Sequence, residues 1–176
     1  MHFPQNLLTS RLILRPLDIN DADDLFRLDS DPEVMRFLGN HLVKSNEQVY
    51  IYLKNIIHQY NQNGIGRWAV VEKETGIFVG WAGLKFTDTL TNGYTNFYDI
   101  GYRLKPEFWG KGYATETTEA WIDYAKNNLN LKELIAITHI DNGASQNVLQ
   151  KCGFKRKNTF IDTLYHVECF WWELPL

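Results

Sequence analysis

The sequence predicts an α/β fold built on one mixed, mostly antiparallel sheet of about seven strands, with helices on both faces. The spacing of apolar residues gives the element order β-α-α-β-β-β-α-β-α-β-β. A turn at 74–76 is short enough to join two strands as an antiparallel hairpin. The strand–helix–strand segment through Gly112 requires a parallel step in the same sheet. At 176 residues the chain has the length of one domain, so we predict a single domain over 1–176.

Before the hairpin we predict one strand and two helical regions, the first of which is interrupted and restarts at Asp31. Residues 9–17 alternate charged and apolar side chains and include a proline near their end, which is typical of a strand. Asn20 is predicted to cap a short helix, and Asp31 to cap a second helix that begins with proline. Residues 45–48 match a capping box, and apolar residues then recur at helical spacing to about Gln62.

From the hairpin onward, aromatic and β-branched residues mark the strands. The polar segment 87–95 is predicted to be a loop. The predicted strands are 67–73, 77–86, 96–104, 133–138, 154–162 and 165–174. The predicted helices run from 113 to about 128 and from 144 to 153.

Composition and charge exclude several classes of protein. A net charge of −3 and a pI of about 5.9 argue against nucleic acid as a partner, because a nucleic-acid surface normally needs a basic stripe. Cys152 and Cys169 have no metal-ligand spacing, so we expect two small hydrophobic side chains and no metal. No apolar run approaches about 18 residues, which excludes a membrane span. The first residues lack the features of a signal peptide, so we expect a cytoplasmic protein.

Residues 99–116 contain the most informative pattern in the chain. A strand stops at Pro106, Gly110-Lys111-Gly112 forms a turn, and a helix begins. The glycines leave backbone N–H groups uncovered, and the helix start adds free donors and the positive end of the helix dipole. The pattern predicts an anion site with phosphate as the ligand. The alternative is a tight turn whose lysine is only solvated.

Three blocks of this sequence resemble one family. Residues 109–116 (Trp-Gly-Lys-Gly-Tyr-Ala-Thr-Glu) resemble the acetyl-CoA signature of the GCN5-related N-acetyltransferases, the GNAT superfamily. Residues 142–145 with 148–154 resemble the second cofactor segment of its RimJ/RimL-like branch, the ribosomal-protein N-acetyltransferases. Residues 9–15, 21–22 and 31–34 resemble the opening of that branch. The blocks follow the order of the family and span nearly the whole chain.

The resemblance implies that acetyl-CoA lies where the fourth and fifth predicted strands splay apart. Backbone groups of 102–104 would pair with the pantetheine arm, and N–H groups of 110–115 would hold the pyrophosphate. Many members have Arg or Gln in place of Trp109, but most of these contacts are backbone contacts, so we expect cofactor binding to persist. The implied cofactor-binding residues are Tyr102, Arg103, Leu104, Trp109, Gly110, Lys111, Gly112, Tyr113, Ala114, Thr115, Asn142 and Ser145.

The implied reaction is the attack of a primary amine on the acetyl thioester. It needs a base, a donor for the oxyanion and a donor for the leaving thiolate. Ser145 is the candidate for the last role, because the resemblance places the matching serine on the CoA sulfur, where it can protonate the thiolate. Many members have a tyrosine acid seven residues after the matching asparagine, but this chain has Leu149 there. The alternatives are that Ser145 and Asn142 only cap their helix.

Two carboxylates are candidates for the base. Asp99 lies on the strand face opposite to Ile100, and Glu168 lies among apolar residues, where burial would raise its pKa. The alternative for each carboxylate is that it is only solvated or forms an ion pair, with no role as the base. Arg103 shares the face of Asp99 and is either its ion-pair partner or a substrate contact. His139 and a chain of water molecules are further alternatives for the base.

We therefore predict an acetyl-CoA-dependent N-acetyltransferase that acts by direct attack in a ternary complex. Its partner is an amine-bearing acceptor, either a small molecule or a protein N-terminus, and the oligomeric state, monomer or homodimer, stays open. The alternative is a non-catalytic CoA-binding module on the same fold. A dinucleotide-binding oxidoreductase is disfavoured, because the third glycine of that motif is Thr115 here and the preceding strands form antiparallel hairpins.

Overall fold

The computed structural model describes residues 6–176, which form an open eight-stranded sheet and five α-helices. The expectation about a signal peptide falls partly on residues outside this range. The strands are β1 (Leu7–Leu8), β2 (Leu12–Pro16), β3 (Arg67–Glu72), β4 (Phe78–Thr87), β5 (Phe97–Leu104), β6 (Glu133–His139), β7 (Lys155–Asp162) and β8 (Val167–Pro175). The helices are α1 (Ala22–Asp29), α2 (Pro32–Met35), α3 (Asn46–Asn63), α4 (Tyr113–Asn127) and α5 (Gly143–Lys151).

The structure has a short strand, β1, that precedes the strand predicted over 9–17. Residues 9–17 were expected to be extended throughout, but the chain turns after β1 and only Leu12–Pro16 forms β2. The Thr9 hydroxyl accepts a hydrogen bond from the Leu12 N–H at 3.0 Å and so closes this turn. The sheet therefore has one strand more than the seven predicted.

The sheet confirms the predicted mixture of pairings. Its strand order is β1-β2-β3-β4-β5-β6-β8-β7, and every neighbouring pair is antiparallel except β5 and β6. β5 pairs with β4 along its whole length, whereas β5 and β6 have the single registered pair Asp99↔Ile135. The two parallel strands therefore separate beyond Asp99, as the resemblance implied.

Helices cover both faces of the sheet. Successive side chains of a strand point to opposite faces. On β5, Arg103 contacts Asp29 of α1, while its neighbour Tyr102 contacts Ser145 of α5. The helices α1–α3 therefore lie on one face, which we call the α1 face, and α4 and α5 lie on the other. No helix among residues 6–176 is long and apolar enough to cross a membrane.

Two of the predicted helix caps are wrong. Asp18, not Asn20, caps the first short turn, and its carboxylate accepts a hydrogen bond from the Asn20 N–H at 2.7 Å. The hydroxyl of Ser45 makes no cap bond to α3 and instead hydrogen-bonds to the Glu47 carboxylate, while the Gln48 side-chain oxygen accepts from the Lys44 N–H at 2.7 Å. The caps at Asp31 and Asn142 are confirmed.

The predicted loop between β4 and β5 folds back across the sheet. The ring of Tyr94 stacks on Trp171 of β8, with ring centroids 4.9 Å apart. The amides of Asn92 and Asn158 exchange two hydrogen bonds of 3.1 Å. The loop thus covers the apolar cluster of Phe97, Ile135 and Trp171 on the α1 face.

Candidate active site

The turn before α4 presents a row of free backbone donors, as predicted. Gly110 and Gly112 adopt φ values of 72° and 81°, which favour glycine. The N–H groups of 110–115 have no acceptor within residues 6–176, and the first helical bond runs from Glu116 to the Gly112 carbonyl. A Cβ built on Gly110 would meet nothing within 4 Å, so the turn is open to a ligand. This row of donors at a helix start fits the phosphates of a CoA ester.

An ion pair from outside the motif holds this turn in place. The Arg11 guanidinium donates to the Lys111 carbonyl at 2.9 Å and to a Glu116 carboxylate oxygen at 2.7 Å. The Thr9 hydroxyl and the Arg11 N–H donate to the other Glu116 oxygen, at 2.6 and 2.7 Å. With the Lys111 carbonyl fixed by Arg11, the carbonyl does not compete for the donors that face the ligand. Sequence reasoning had not singled out Arg11 or Glu116 for this role.

The side chains in and beside this turn contact neighbouring residues. The indole N–H of Trp109 donates to the Leu104 carbonyl at 2.7 Å and joins the turn to the end of β5. The ammonium group of Lys111 lies 4.9 Å above the ring of Phe108. The hydroxyl of Tyr113 donates to Glu72, which raises the pKa of Tyr113 and lowers that of the carboxyl.

The start of α5 brings two of the predicted residues to the gap between β5 and β6. The Asn142 side-chain oxygen accepts a hydrogen bond from the Ser145 N–H at 3.1 Å, so Asn142 is the predicted cap, and its NH₂ group has no acceptor among residues 6–176. The hydroxyls of Ser145 and Tyr102 lie 2.8 Å apart. Burial raises the pKa of Tyr102. The predicted Tyr102 side chain therefore meets the predicted Ser145, although sequence reasoning had given Tyr102 only a backbone role.

Asp99 lies on the α1 face at the last pairing before β5 and β6 separate. The Arg67 guanidinium donates to its carboxylate at 2.5 Å and to its backbone carbonyl at 3.0 Å. Burial raises the pKa of Asp99 more than the charges of Arg67 and Lys85 lower it. Asp99 thus combines a position at the gap with an increased proton affinity.

Other expectations for the base site are wrong. Arg103 does not pair with Asp99; it donates to Asp29 of α1 at 2.6 Å. Glu168 is exposed, so the expected burial is absent. The Nδ1 atom of His139 accepts a hydrogen bond from the Asp141 N–H at 3.0 Å.

Comparison with known proteins agrees with this geometry. The family model described as acetyltransferase (GNAT) domain matches residues 11–155. The uncharacterized N-acetyltransferase YoaA of Bacillus subtilis is 30% identical over 159 residues, which are 90% of this chain and 88% of that protein. The FsC-acetyl coenzyme A-N(2)-transacetylase of Aspergillus fumigatus is 35% identical over 162 residues, 89% of this chain and 67% of that protein.

A solved structure shows the same fold. RimL, the ribosomal L7/L12 alpha-N-protein acetyltransferase, in complex with coenzyme A, superposes with a TM-score of 0.79 at 15% identity and covers 97% of this chain and 98% of its own. The row of free N–H groups, the gap between β5 and β6 and the sequence matches together identify this chain as an acetyl-CoA-dependent N-acetyltransferase. The chain belongs to the GNAT family.

Proposed function

We propose that this chain acetylates a primary amine by direct attack in a ternary complex, as a member of the RimJ/RimL-like branch. The observation that carries the proposal is the row of free N–H groups at 110–115 beside the gap between β5 and β6. Ser145 and Tyr102 lie at that gap. A ligand with an anionic head and a slender arm fits these two features together, because the head needs donors and the arm needs unpaired strand edges.

Each cofactor-binding residue has a separate task in this proposal. The N–H groups of 110–115 bind the pyrophosphate, and Lys111 adds positive charge. Backbone groups of 102–104 pair with the pantetheine arm, and the free NH₂ group of Asn142 donates to an amide of that arm. Acetyl-CoA, when bound, supplies an acetyl group activated as a thioester.

Asp99 is the base in this proposal. A base works best when its pKa approaches the working pH, and burial moves the pKa of Asp99 in that direction. Arg67 orients the carboxylate. We do not assign the role to Glu168, because its exposure gives it no such shift.

The acceptor approaches from the α1 face in this proposal, because Asp99 lies there and α4 and α5 occupy the other face. The Aspergillus relative is named for transfer to an N(2) nitrogen, and RimL for transfer to the α-nitrogen of a ribosomal protein. An acceptor panel therefore includes amino acids, a polyamine and peptides with free N-termini. We place the reaction in the cytoplasm, the compartment of free acetyl-CoA and of these amines.

The test is a thermal melt followed by a thiol-release assay. Acetyl-CoA at about a hundred times its Kd adds roughly 2.7 kcal/mol, and each kcal/mol raises the Tm of a domain of this size by about 2–4 °C. We expect acetyl-CoA to raise the Tm by several degrees and NAD to leave it unchanged. Thiol release with at least one amine supports the transferase, whereas cofactor binding without release from any amine indicates the non-catalytic module.

A further inference from the structure

Two hydroxyl groups meet at the gap between β5 and β6. The Tyr102 hydroxyl comes from β5 and the Ser145 hydroxyl from the first turn of α5, 43 residues later. Their oxygens are 2.8 Å apart, while the Tyr102 hydroxyl is 3.5 Å from the Ser145 carbonyl. At the position where many relatives have a tyrosine acid, Leu149 is buried in the core. The phenol at this site therefore comes from the sheet and not from α5.

Either hydroxyl can donate in this contact, and the two directions differ in where they leave the proton of Ser145. Burial raises the pKa of Tyr102, so the phenol keeps its proton at neutral pH. Within residues 6–176, Ser145 Oγ is the nearest acceptor for that proton. When Tyr102 donates to Ser145 Oγ, the proton of Ser145 has to point away from Tyr102. The Ser145 N–H is already bonded to Asn142, which holds this turn of the helix in one orientation.

We propose that Tyr102 is a positioning residue whose hydroxyl donates to Ser145 Oγ and directs the Ser145 proton at the sulfur of coenzyme A. The proposal rests on the function proposed above and specifies how Ser145 takes part in it. A hydrogen bond to a charged acceptor is stronger than a neutral one, and a second donor behind the first strengthens it further. The pair thus stabilises negative charge on the leaving sulfur.

The chemistry requires no proton from either hydroxyl. The amine nitrogen forms a bond to the acetyl carbon, the carbon–sulfur bond breaks, and its electron pair goes to sulfur. A thiol has a pKa of about 8.5 and a phenol one of about 10 before burial, and an alcohol is a weaker acid than either. Both hydroxyls therefore keep their protons. The sulfur finally takes up the proton that the amine has lost, which returns through Asp99 and solvent.

The experiment compares the thiol pKa of bound coenzyme A in variants of the full chain. Thiolate absorbance of the CoA complex, followed against pH, reports how strongly the site stabilises negative sulfur. Tyr102→Phe removes the donor, and Ser145→Ala removes the hydroxyl that it acts on. Tyr98→Phe is the matched control, because Tyr98 lies on the same strand and face and its hydroxyl has no hydrogen-bond partner within residues 6–176.

We expect Tyr102→Phe to raise the thiol pKa of bound CoA toward its value in Ser145→Ala. We also expect kcat to fall about threefold to tenfold, the range of one hydrogen bond, with little change in KM. The double variant should match Ser145→Ala, and Tyr98→Phe should match the wild type. A wild-type thiol pKa in Tyr102→Phe, or fully additive losses in the double variant, would overturn the positioning role while the transferase stands. A wild type that binds no CoA would overturn both proposals.

Discussion

Replacing Arg11 by alanine tests how the phosphate-binding turn is held. The variant loses the 2.9 Å bond to the Lys111 carbonyl and the 2.7 Å contacts to Glu116. A hydrogen bond from a charged donor contributes about 1.5–3 kcal/mol when shielded from water. The Arg11 side chain is 47% exposed, so we discount this to about 1 kcal/mol. Since about 1.4 kcal/mol corresponds to a factor of ten, the Kd for acetyl-CoA should rise roughly fivefold.

Titration calorimetry measures this Kd directly, and steady-state kinetics should show the same change in KM with kcat preserved, because Arg11 contacts the phosphate-binding turn and the start of α4. Lys157→Ala is the matched control. Lys157 also forms a 2.7 Å ion pair and is 48% exposed, but its partner Glu173 lies on β8. If Arg11→Ala weakens acetyl-CoA binding no more than Lys157→Ala does, the turn does not depend on Arg11 and the reasoning is wrong.

Three further predictions concern stability and pH. A Cβ on Gly80 would lie 2.1 Å from the Arg103 carbonyl, so Gly80→Ala should lower the free energy of unfolding, measured by urea denaturation, by at least about 2 kcal/mol. The control is Gly143→Ala, whose Cβ meets open space and should not destabilise the fold. Burial raises the pKa of Glu116, but hydrogen bonds from Thr9 and Arg11 lower it by more. The contribution of Glu116 to the free energy of unfolding is therefore fully present above its unfolded pKa of about 4.3 and is lost as the pH falls through its lower pKa in the folded protein. The stability difference between wild type and Glu116→Gln should therefore shrink in acid melts, and a constant difference would contradict the assignment. The pKa of Asp99 is raised, so kcat/KM should fall as the pH drops through that pKa. Asp99→Asn should cause a large loss of kcat and remove this acidic part of the pH–rate profile. If the variant keeps the acidic fall, another group is the base.

Local signals in the sequence were sufficient for most elements of the fold. The turn at 74–76 has Gly76 at a φ of 69°, and it joins β3 to β4 as an antiparallel hairpin. The Asp31 cap is a contact across two residues, so it is visible in the sequence. The capping box at Ser45 does not form although its motif is present, because the Ser45 hydroxyl bonds to Glu47 and the Gln48 side chain bonds to the Lys44 N–H. A motif of this kind states which bonds are available and not which one forms.

The same distinction between local and long-range contacts applies to the candidate site. The donor row at 110–115 depends on glycines and a helix start that are adjacent in sequence, and it was predicted. The partners of Glu116 and Arg103 lie 105 and 74 residues away, and no local pattern indicates them. Glu168 illustrates the remaining ambiguity. Alternation along a strand separates two faces, but only the neighbouring strands decide which face is covered.

Because β5 and β6 share a single registered pair, two strands inside the sheet have main-chain groups without a strand partner, as edge strands do. Ordinary edge strands attract strands of other molecules, and proteins protect them with charges, bulges or short length. Here residues 100–104 pair with β4 and residues 136–139 pair with β8, but the two stretches have no registered pair with each other, and five strands lie on one side of them and three on the other. In the function proposed above, the pantetheine arm pairs with the main-chain groups at this gap. Main-chain groups that would attract another molecule at the rim of the sheet are here flanked by strands of the same chain on both sides.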